Sequence, residues 1–412
     1  MPDYRRNHYV PEWYQKRFLP KGQRFYYLDL KPETVVSNGH KYHRRALLRW
    51  GAEKCFCEQD LYTTRFGKWE STEIEQKFFG KIDDSGRDAV EYFSTYNHDS
   101  ISYEALYAML PYMTVQKLRT PKGLKNLAQA ARLDNKNLIL FKLQEIQQIF
   151  CALWSECIWT IADASDCRTK FLVSDHPVTV YNKACFPLSA WCRDCNDPGI
   201  WLSASHTLFP LNQDKILILT NLSWVRNPYS NPLDRRPNPK LFRPAVFNFL
   251  NIQVGRKLSE LEVVEINYVL KQRAWRYIAA AEKEWLYPER HLKTQNWDKL
   301  GSGYLFMPDP RSVSFSSEIL IGYTNQHVQG FDAYGRRPWH PEYNGKDEQN
   351  REWATFQAFK GEFARLFGPK HRGSSNDFGN FHLGPREDSP QLHESHLQAE
   401  RRYSKNRYKK RR

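Results

Sequence analysis

Leu143-Gln144-Glu145-Ile146-Gln147-Gln148-Ile149-Phe150-Cys151-Ala152-Leu153-Trp154-Ser155-Glu156-Cys157 is the stretch that decides the fold. Its apolar residues Leu143, Ile146, Ile149, Phe150, Leu153, Trp154 and Cys157 recur at three-and-four spacing, which predicts a helix with one buried face. The pattern then changes. Residues 170–174 and 215–220 are short apolar runs, the signature of buried strands. Helices before this point and strands after it make the expected class α+β. A helix-rich N-terminal half packs on a small mixed β-sheet, followed by a late long helix, an irregular C-terminal unit and a disordered basic tail.

Toward the N-terminus, Pro11 opens a short helix running to Phe18, and Pro20-Lys21-Gly22 ends it. Residues 24–30 alternate like a strand. Ile74, Phe78, Ile82, Val90 and Phe93 predict an amphipathic helix after Ser71-Thr72, interrupted near Gly86. Leu106, Met109, Leu110 and Met113 mark another, which must stop before Thr120-Pro121 because a residue preceding proline avoids helical angles. Toward the C-terminus, residues 227–244 read as a loop. Leu261, Val264, Tyr268, Ala274, Tyr277 and Ile278 outline a long helix closed before Pro288. A second unit begins near Gly301, mixed and turn-rich over 306–343, and Trp353, Phe356, Phe363 and Leu366 mark a last helix. The chain divides as 1–300, a small unit 301–367, and a tail 368–412 expected to be disordered.

The sequence has 412 residues, 41% hydrophobic and 15% aromatic, which suits a globular protein with a substantial core. Its 61 Lys and Arg against 46 Asp and Glu give a net charge of +15. Eight of those cations lie in residues 401–412, so the remainder still carries +7. A basic field favours polyanions, with nucleic acid the leading partner. Arg44, Arg45, Arg401, Arg402, Arg407, Lys409 and Lys410 are the candidate polyanion-binding residues, and His40, Lys41 and His43 belong to the first of these basic stretches. No stretch has the apolar length of a membrane span and the N-terminus lacks a signal-peptide core. Eight cysteines without a secretion signal read as reduced thiols, so a cytoplasmic location is expected.

Several segments carry a resemblance. They are Asn7-His8-Tyr9-Val10-Pro11 with Tyr14 and Phe18, then Gln116-Lys117-Leu118-Arg119-Thr120-Pro121, then Phe171-Leu172-Val173-Ser174-Asp175-His176-Pro177-Val178. Phe209-Pro210-Leu211, Asn267 and Tyr277 extend the list. In order and spacing the chain resembles, over roughly residues 5–285, a family of unknown function named for its His-Tyr-Val-Pro motif. His176 stands where that family usually has Asn. The resemblance implies a common fold and no reaction.

Read from chemistry alone, Gln116 and Arg119 share a helix face, and Asp175 follows a buried strand. One expectation brings His8, Gln116, Arg119 and Asp175 into a polar cleft. There His8 would serve as acid or base, Asp175 would orient it and Arg119 would hold a phosphate, a metal-independent phosphodiesterase or nuclease. The other makes the same residues fasteners, with an Arg119–Asp175 ion pair tying helices to sheet, in a non-enzymatic protein-interaction module. No cofactor is expected from the motifs. Cys185, Cys192, Cys195 and His176 are the one grouping with zinc-ligand chemistry, but hold a single Cys-x-x-Cys pair. Asp84, Asp88 and Glu91 read as a solvated stripe with an Arg87–Glu91 pair. Cys55 and Cys57 are expected to pack.

Overall fold

The computed structural model describes residues 5–37, 40–97, 101–192, 197–236, 252–301, 304–313, 322–324, 327–329 and 346–367. In chain order the first strands and helix are β1 (Arg6–His8), α1 (Glu12–Gln15), β2 (Phe25–Asp29), β3 (Thr34–Ser37), β4 (His40–His43), β5 (Leu47–Trp50), β6 (Cys57–Gln59), β7 (Thr64–Phe66) and β8 (Trp69–Ser71). Four helices follow: α2 (Gly80–Ser94), α3 (Tyr103–Leu118), α4 (Pro121–Ala131) and α5 (Lys136–Ser155). Next come β9 (Cys157–Asp163), β10 (Val173–Ser174), β11 (Thr179–Tyr181), β12 (His206–Pro210), β13 (Lys215–Asn221), α6 (Leu222–Arg226) and β14 (Ile252–Lys257). The chain continues through α7 (Glu260–Arg273), β15 (Tyr277–Ala280), β16 (Gly322–Thr324), β17 (His327–Gln329) and α8 (Lys346–Phe367).

The α+β class holds, and most of the sequence reading of the N-terminal half holds with it. α1 leads into a 3₁₀ turn ending at Phe18, and β2 occupies the alternating segment. Local chemistry sets the helix starts. Ser102 accepts the Ala105 N–H at the head of α3, Thr120 accepts the Gly123 N–H at the head of α4, and Asn135 accepts two amides at the head of α5. Pro121 occupies the first turn of α4, where its missing N–H costs nothing. Ser259 and Glu262 form a reciprocal capping box on α7.

Two sheets form the core. One has the order β11-β12-β13-β9-β14, antiparallel except for the parallel β9–β14 pair. The other is the antiparallel β10-β15-β2-β5 sheet, where Tyr27 stacks between Trp50 and Tyr277. Helices α3 and α5 pack together, and α2 packs on α3 at Gly86.

Four expectations change. Gly86 does not interrupt its helix. A Cβ there would stand 2.4 Å from the Tyr112 ring, so glycine allows α2 and α3 to approach. The irregularity lies upstream, where Ile74–Phe79 winds with wider π-helical turns. Cys157 belongs not to α5 but to β9, a strand buried at every residue and therefore without alternation. Tyr277 and Ile278 lie in β15, because α7 ends at Arg273. Of 170–174 only Val173 and Ser174 are strand.

Beyond residue 300, Phe356, Phe359 and Phe363 of α8 join Met307 and Val313 in one apolar cluster with Ile158, Ala204 and Trp224. The expected tail, with Arg401, Arg402, Arg407, Lys409 and Lys410, lies outside the described residues, as do most of 306–343 and residues 237–244 of the expected loop. Among the described residues no helix is long and apolar enough to cross a membrane, and the seven described cysteines are free.

Candidate functional site

The sequence quartet divides into three neighbourhoods. His8 ends β1, and its half-buried ring lies 3.2 Å from the Glu53 carbonyl and 3.7 Å from Glu12. Burial lowers its pKa, against the raising influence of Glu12. Gln116 and Arg119 do share a face of α3, and both are sealed from solvent. Gln116 Nε2 donates to the Tyr9 carbonyl at 2.8 Å, and Arg119 Nη2 donates to Gln116 Oε1 at 2.7 Å. The Tyr9 segment is thereby fastened to α3. Asp175 is also sealed. Its carboxylate accepts from the backbone N–H groups of Trp275 (2.8 Å), Arg276 (2.6 Å) and Tyr277 (2.8 Å).

Arg119 therefore pairs not with Asp175 but with Asp83 of α2, at 2.8 Å. Burial opposes its charge, yet Asp83 and the Tyr62 hydroxyl more than offset this and raise its pKa. The outward stripe also re-pairs: Arg87 meets Asp84 at 3.6 Å, and Glu91 meets Arg17. Cys55 is buried, whereas Cys57 is part-exposed.

Glu75, beside Arg119 and Asp83, has its pKa raised to about 7 by burial, with Asp83 adding to the shift and Arg119 opposing it. A carboxyl whose folded pKa exceeds its unfolded value destabilises the fold as pH rises between the two. Glu75→Gln is accordingly expected to gain on the wild type by roughly 2–3 kcal/mol between pH 5 and 8, measured by denaturant unfolding at both pH values. A constant difference would refute the burial of an ionising carboxyl there.

A second group, built from residues 116–122 and 171–178, is denser. Asp197 accepts from Lys117 Nζ at 2.8 Å and from Lys122 Nζ at 2.5 Å, and it lies 2.6 Å from His176 Nε2. His176 Nδ1 lies 2.8 Å from Thr120 Oγ1. A carboxylate oxygen at 2.6 Å requires a proton on Nε2, so Nδ1 is the acceptor and the Thr120 hydroxyl its donor. A directed chain results: Gly123 N–H to Thr120, Thr120 to His176, His176 to Asp197, with both lysines closing on the carboxylate. His176 is held neutral, its pKa lowered to about 4 mainly by burial. Burial and the neighbouring Lys122 lower Lys117, while Asp197, facing three donors, is driven well below the usual carboxylate range. One carboxylate serves two ammonium groups, so the cluster carries surplus positive charge.

The order hydroxyl–imidazole–carboxylate matches that of a nucleophilic triad. Thr120, however, is fully buried and its oxygen already accepts the Gly123 amide, so no acyl carbon has access to it. The arrangement is suited to holding three segments together. Gly123 is part of the lock: a Cβ there would meet the Lys117 carbonyl oxygen at 2.2 Å and that of Leu118 at 2.6 Å. Gly→Ala usually stabilises a helix by about 1 kcal/mol. Gly123→Ala is instead expected to cost roughly 2–3 kcal/mol, because the obstructing atoms are backbone. Thermal unfolding decides the sign.

The zinc grouping has a different arrangement. Arg273 Nη1 donates to Cys192 Sγ at 2.9 Å and its Nη2 to the Cys185 carbonyl, which places a fixed cation among the thiols. His176 is already bonded on both nitrogens, and Cys195 lies outside the described residues. Burial pushes the Cys185 thiol up to about 12, unlike the thiolate that metal binding needs. Among the described residues no three His, Cys, Asp or Glu side chains are grouped to hold a metal. Sequence reasoning missed Asp197, Lys122 and Arg273. The one available signal was the crowding of Lys117 and Lys122 around a capped helix start, since buried ammonium groups require an anion.

These features define an α+β protein in which segments 116–122 and 171–178 are locked to each other and the 7–11 segment to α3. Over residues 6–284 the chain matches the family described as Protein of unknown function (DUF4238), and it belongs to that family. The segments that carry the resemblance all fall inside that span. No curated protein and no solved structure matches the chain.

Proposed function

We propose that the protein binds nucleic acid, using the β3–β4 ribbon as a principal contact. The observation that carries this reading is the exposure of that ribbon. All four residues of β4, His40, Lys41, Tyr42 and His43, are exposed, and so are Arg44 and Arg45 after it. Among the described residues the two strands pair only with each other, from Thr34↔His43 to Ser37↔His40. A two-stranded ribbon fits the major groove of a duplex, and Lys and Arg along it meet phosphates. Tyr42, 50% exposed, offers a stacking face. The Arg44–Glu33 pair at 3.4 Å is solvent-exposed and too weak to withhold Arg44.

Binding is preferred over phosphodiester cleavage by His8, Gln116, Arg119 and Asp175. Three of the four are sealed and hydrogen-bonded, and a general base needs reach to its substrate. The test is fluorescence anisotropy with duplex DNA, single-stranded DNA and RNA across a salt series. Affinity should fall steeply with salt, and the surface variant K41E/R44E/R45E should flatten the log–log slope by about 2–3. Deleting residues 401–412 should flatten it further. Binding that ignores salt, or that the triple variant leaves unchanged, rules the ribbon out.

A second reading, a protein partner, is supported by an apolar surface where the β7–β8 hairpin meets α5. Trp69 is 81% exposed there, with Phe66, Leu138 and Phe141 near half. Asn137 is bonded in both directions to the backbone of Arg65, fixing the hairpin against the helix. Exposed aromatics so placed suit a protein interface.

A further inference from the structure

The loop after β11 carries two thiols, Cys185 and Cys192. Tight turns shape it: the N–H groups of Cys185, Ser189 and Cys192 donate to the carbonyls of Asn182 (3.0 Å), Phe186 (2.9 Å) and Ser189 (2.9 Å). Phe186, Leu188 and Trp191 are exposed, so the loop lies at the surface, with Cys192 5% exposed and Cys185 sealed beneath it. Both cysteines pack with Leu202 in a small apolar cluster of their own.

Arg273, the last residue of α7, is 2% exposed and grips this loop with both ends of its guanidinium. Nη1 donates to Cys192 Sγ at 2.9 Å, Nη2 donates to the Cys185 carbonyl, and the guanidinium carbon stands 4.6 Å from the Trp297 ring centroid. Among the described residues no carboxylate pairs with Arg273, and its Nε has no acceptor. Asp197 is already shared by Lys117 and Lys122. Burial lowers the pKa of Lys117, and the charges of Lys122 and Arg273 lower it further, so no cation in this region is spare. A guanidinium so deeply enclosed needs an anion, and the group it touches is a sulfur.

We infer that Cys192 and Cys185 form a reversible disulfide in response to peroxide, Cys192 attacking as the thiolate and Cys185 resolving it. Arg273 supplies the cation that a reactive thiolate requires. Cys192 Sγ already lies 3.6 Å from the Cys185 carbonyl oxygen. Burial, and then the charge of the Cys192 sulfur, push the Cys185 thiol up to about 12, which separates the two roles. In the first step the thiolate attacks one oxygen of a hydroperoxide. A sulfur–oxygen bond forms, the oxygen–oxygen bond breaks, and the leaving alkoxide or hydroxide takes a proton from water. The Cys185 thiol then attacks the sulfenic sulfur, and its proton leaves with the hydroxide as water. The two sulfurs together supply the two electrons that reduce the peroxide. Once the disulfide forms, Arg273 has lost its anion, so the charge balance beside Asp197 changes with it. No residue of the β3–β4 ribbon takes part, and the switch is independent of nucleic-acid binding.

The test adds hydrogen peroxide to the full chain in stages, alkylates the remaining thiols and maps the peptides by mass. A Cys185–Cys192 link should appear before any other cysteine loses its thiol, and dithiothreitol should remove it. Cys185→Ser should halt the reaction at a Cys192 sulfenic acid, which dimedone traps. Arg273→Met should slow the loss of the Cys192 thiol by about tenfold or more, with folding checked by thermal unfolding. Should that variant fail to fold, Cys185→Ser still decides. The inference is overturned if Cys57, whose sulfur accepts from Arg6 Nε at 3.3 Å, oxidises first. A Cys192–Cys195 link in place of the expected one overturns it too, as does a Cys192 that stays reduced or an Arg273→Met variant that reacts as fast as the wild type.

Discussion

Asp197→Asn is expected to destabilise the protein by about 3–5 kcal/mol, the cost of removing one partner from a buried ion pair. The side chains of Lys117, Lys122 and Asp197 are each less than a tenth exposed. The amide has nearly the shape of the carboxylate, so no cavity forms and the loss is electrostatic. One of its two ends must also present N–H groups to an ammonium or to His176 Nε2–H, where both carboxylate oxygens formerly accepted. Because Asp197 titrates far below its ordinary value when folded, the contribution is complete above about pH 4 and lost only as pH falls through the folded value. The deficit should therefore be constant between pH 5 and 8. Asp166→Asn is the control: its carboxylate is 73% exposed and meets Lys257 at 3.1 Å, so the expected change is within about 0.5 kcal/mol. Equilibrium unfolding in denaturant measures both. An Asp197→Asn variant within about 1 kcal/mol of the wild type would mean that water reaches the lysines and that the lock is not one.

What could be read from the sequence, and what could not, follows from where each signal resides. α5 and β13 are legible because a helix with one buried face and a short apolar run each leave a local pattern, and α3 because Leu106, Met109, Leu110 and Met113 keep helical spacing even though residues 112–118 are buried all round. β9 was not, because burial of both faces removes the alternation that marks a strand, and Trp154 and Cys157 continue the helical spacing into it. The end of α7 was missed for a different reason. Ala274 is extended, and Asp175, a hundred residues earlier in the chain, captures the amides that follow it. Apolar spacing through Tyr277 and Ile278 carries no trace of that capture.

The site divides along the same line. Gln116 and Arg119 were correctly placed on one helix face, an i,i+3 relation that sequence specifies. Their partners Asp83 and Tyr9 come from other elements, and Asp197 lies 75 residues beyond Lys122. Nothing local distinguishes a carboxylate that will be buried against two lysines from one that will face water. Charge reads as surface by default, and only the fold reveals which ions are enclosed. The segments behind the family resemblance are, physically, parts of buried polar joints: Gln116 and Arg119 join the Tyr9 segment to α3, and Asp175 joins the 171–178 segment to the start of β15.

Asp175 is the second joint, and Asp175→Ala is expected to cost roughly 4 kcal/mol at pH 5, since three backbone N–H groups lose their acceptor at once. Those amides belong to residues 275–277, the turn from α7 into β15, and the Asp175 N–H in turn donates to the Tyr277 carbonyl at 3.0 Å. Losing the carboxylate thus frees the entry of a strand that pairs with both β2 and β10. The pH dependence identifies the cause. Burial raises the Asp175 pKa to about 6, against the lowering effect of the three amides. With the folded value above the unfolded 3.8, the wild type loses stability as pH rises between the two, while the alanine variant does not. The gap between them should therefore narrow by roughly 2 kcal/mol from pH 4.5 to 7.5. Hydrogen exchange offers a local readout, because the amides of Trp275, Arg276 and Tyr277 should lose protection in the variant before those of β13 do. If the gap instead widens with pH, the ionised form is the one the fold favours, and the three amides rather than burial dominate at this carboxylate.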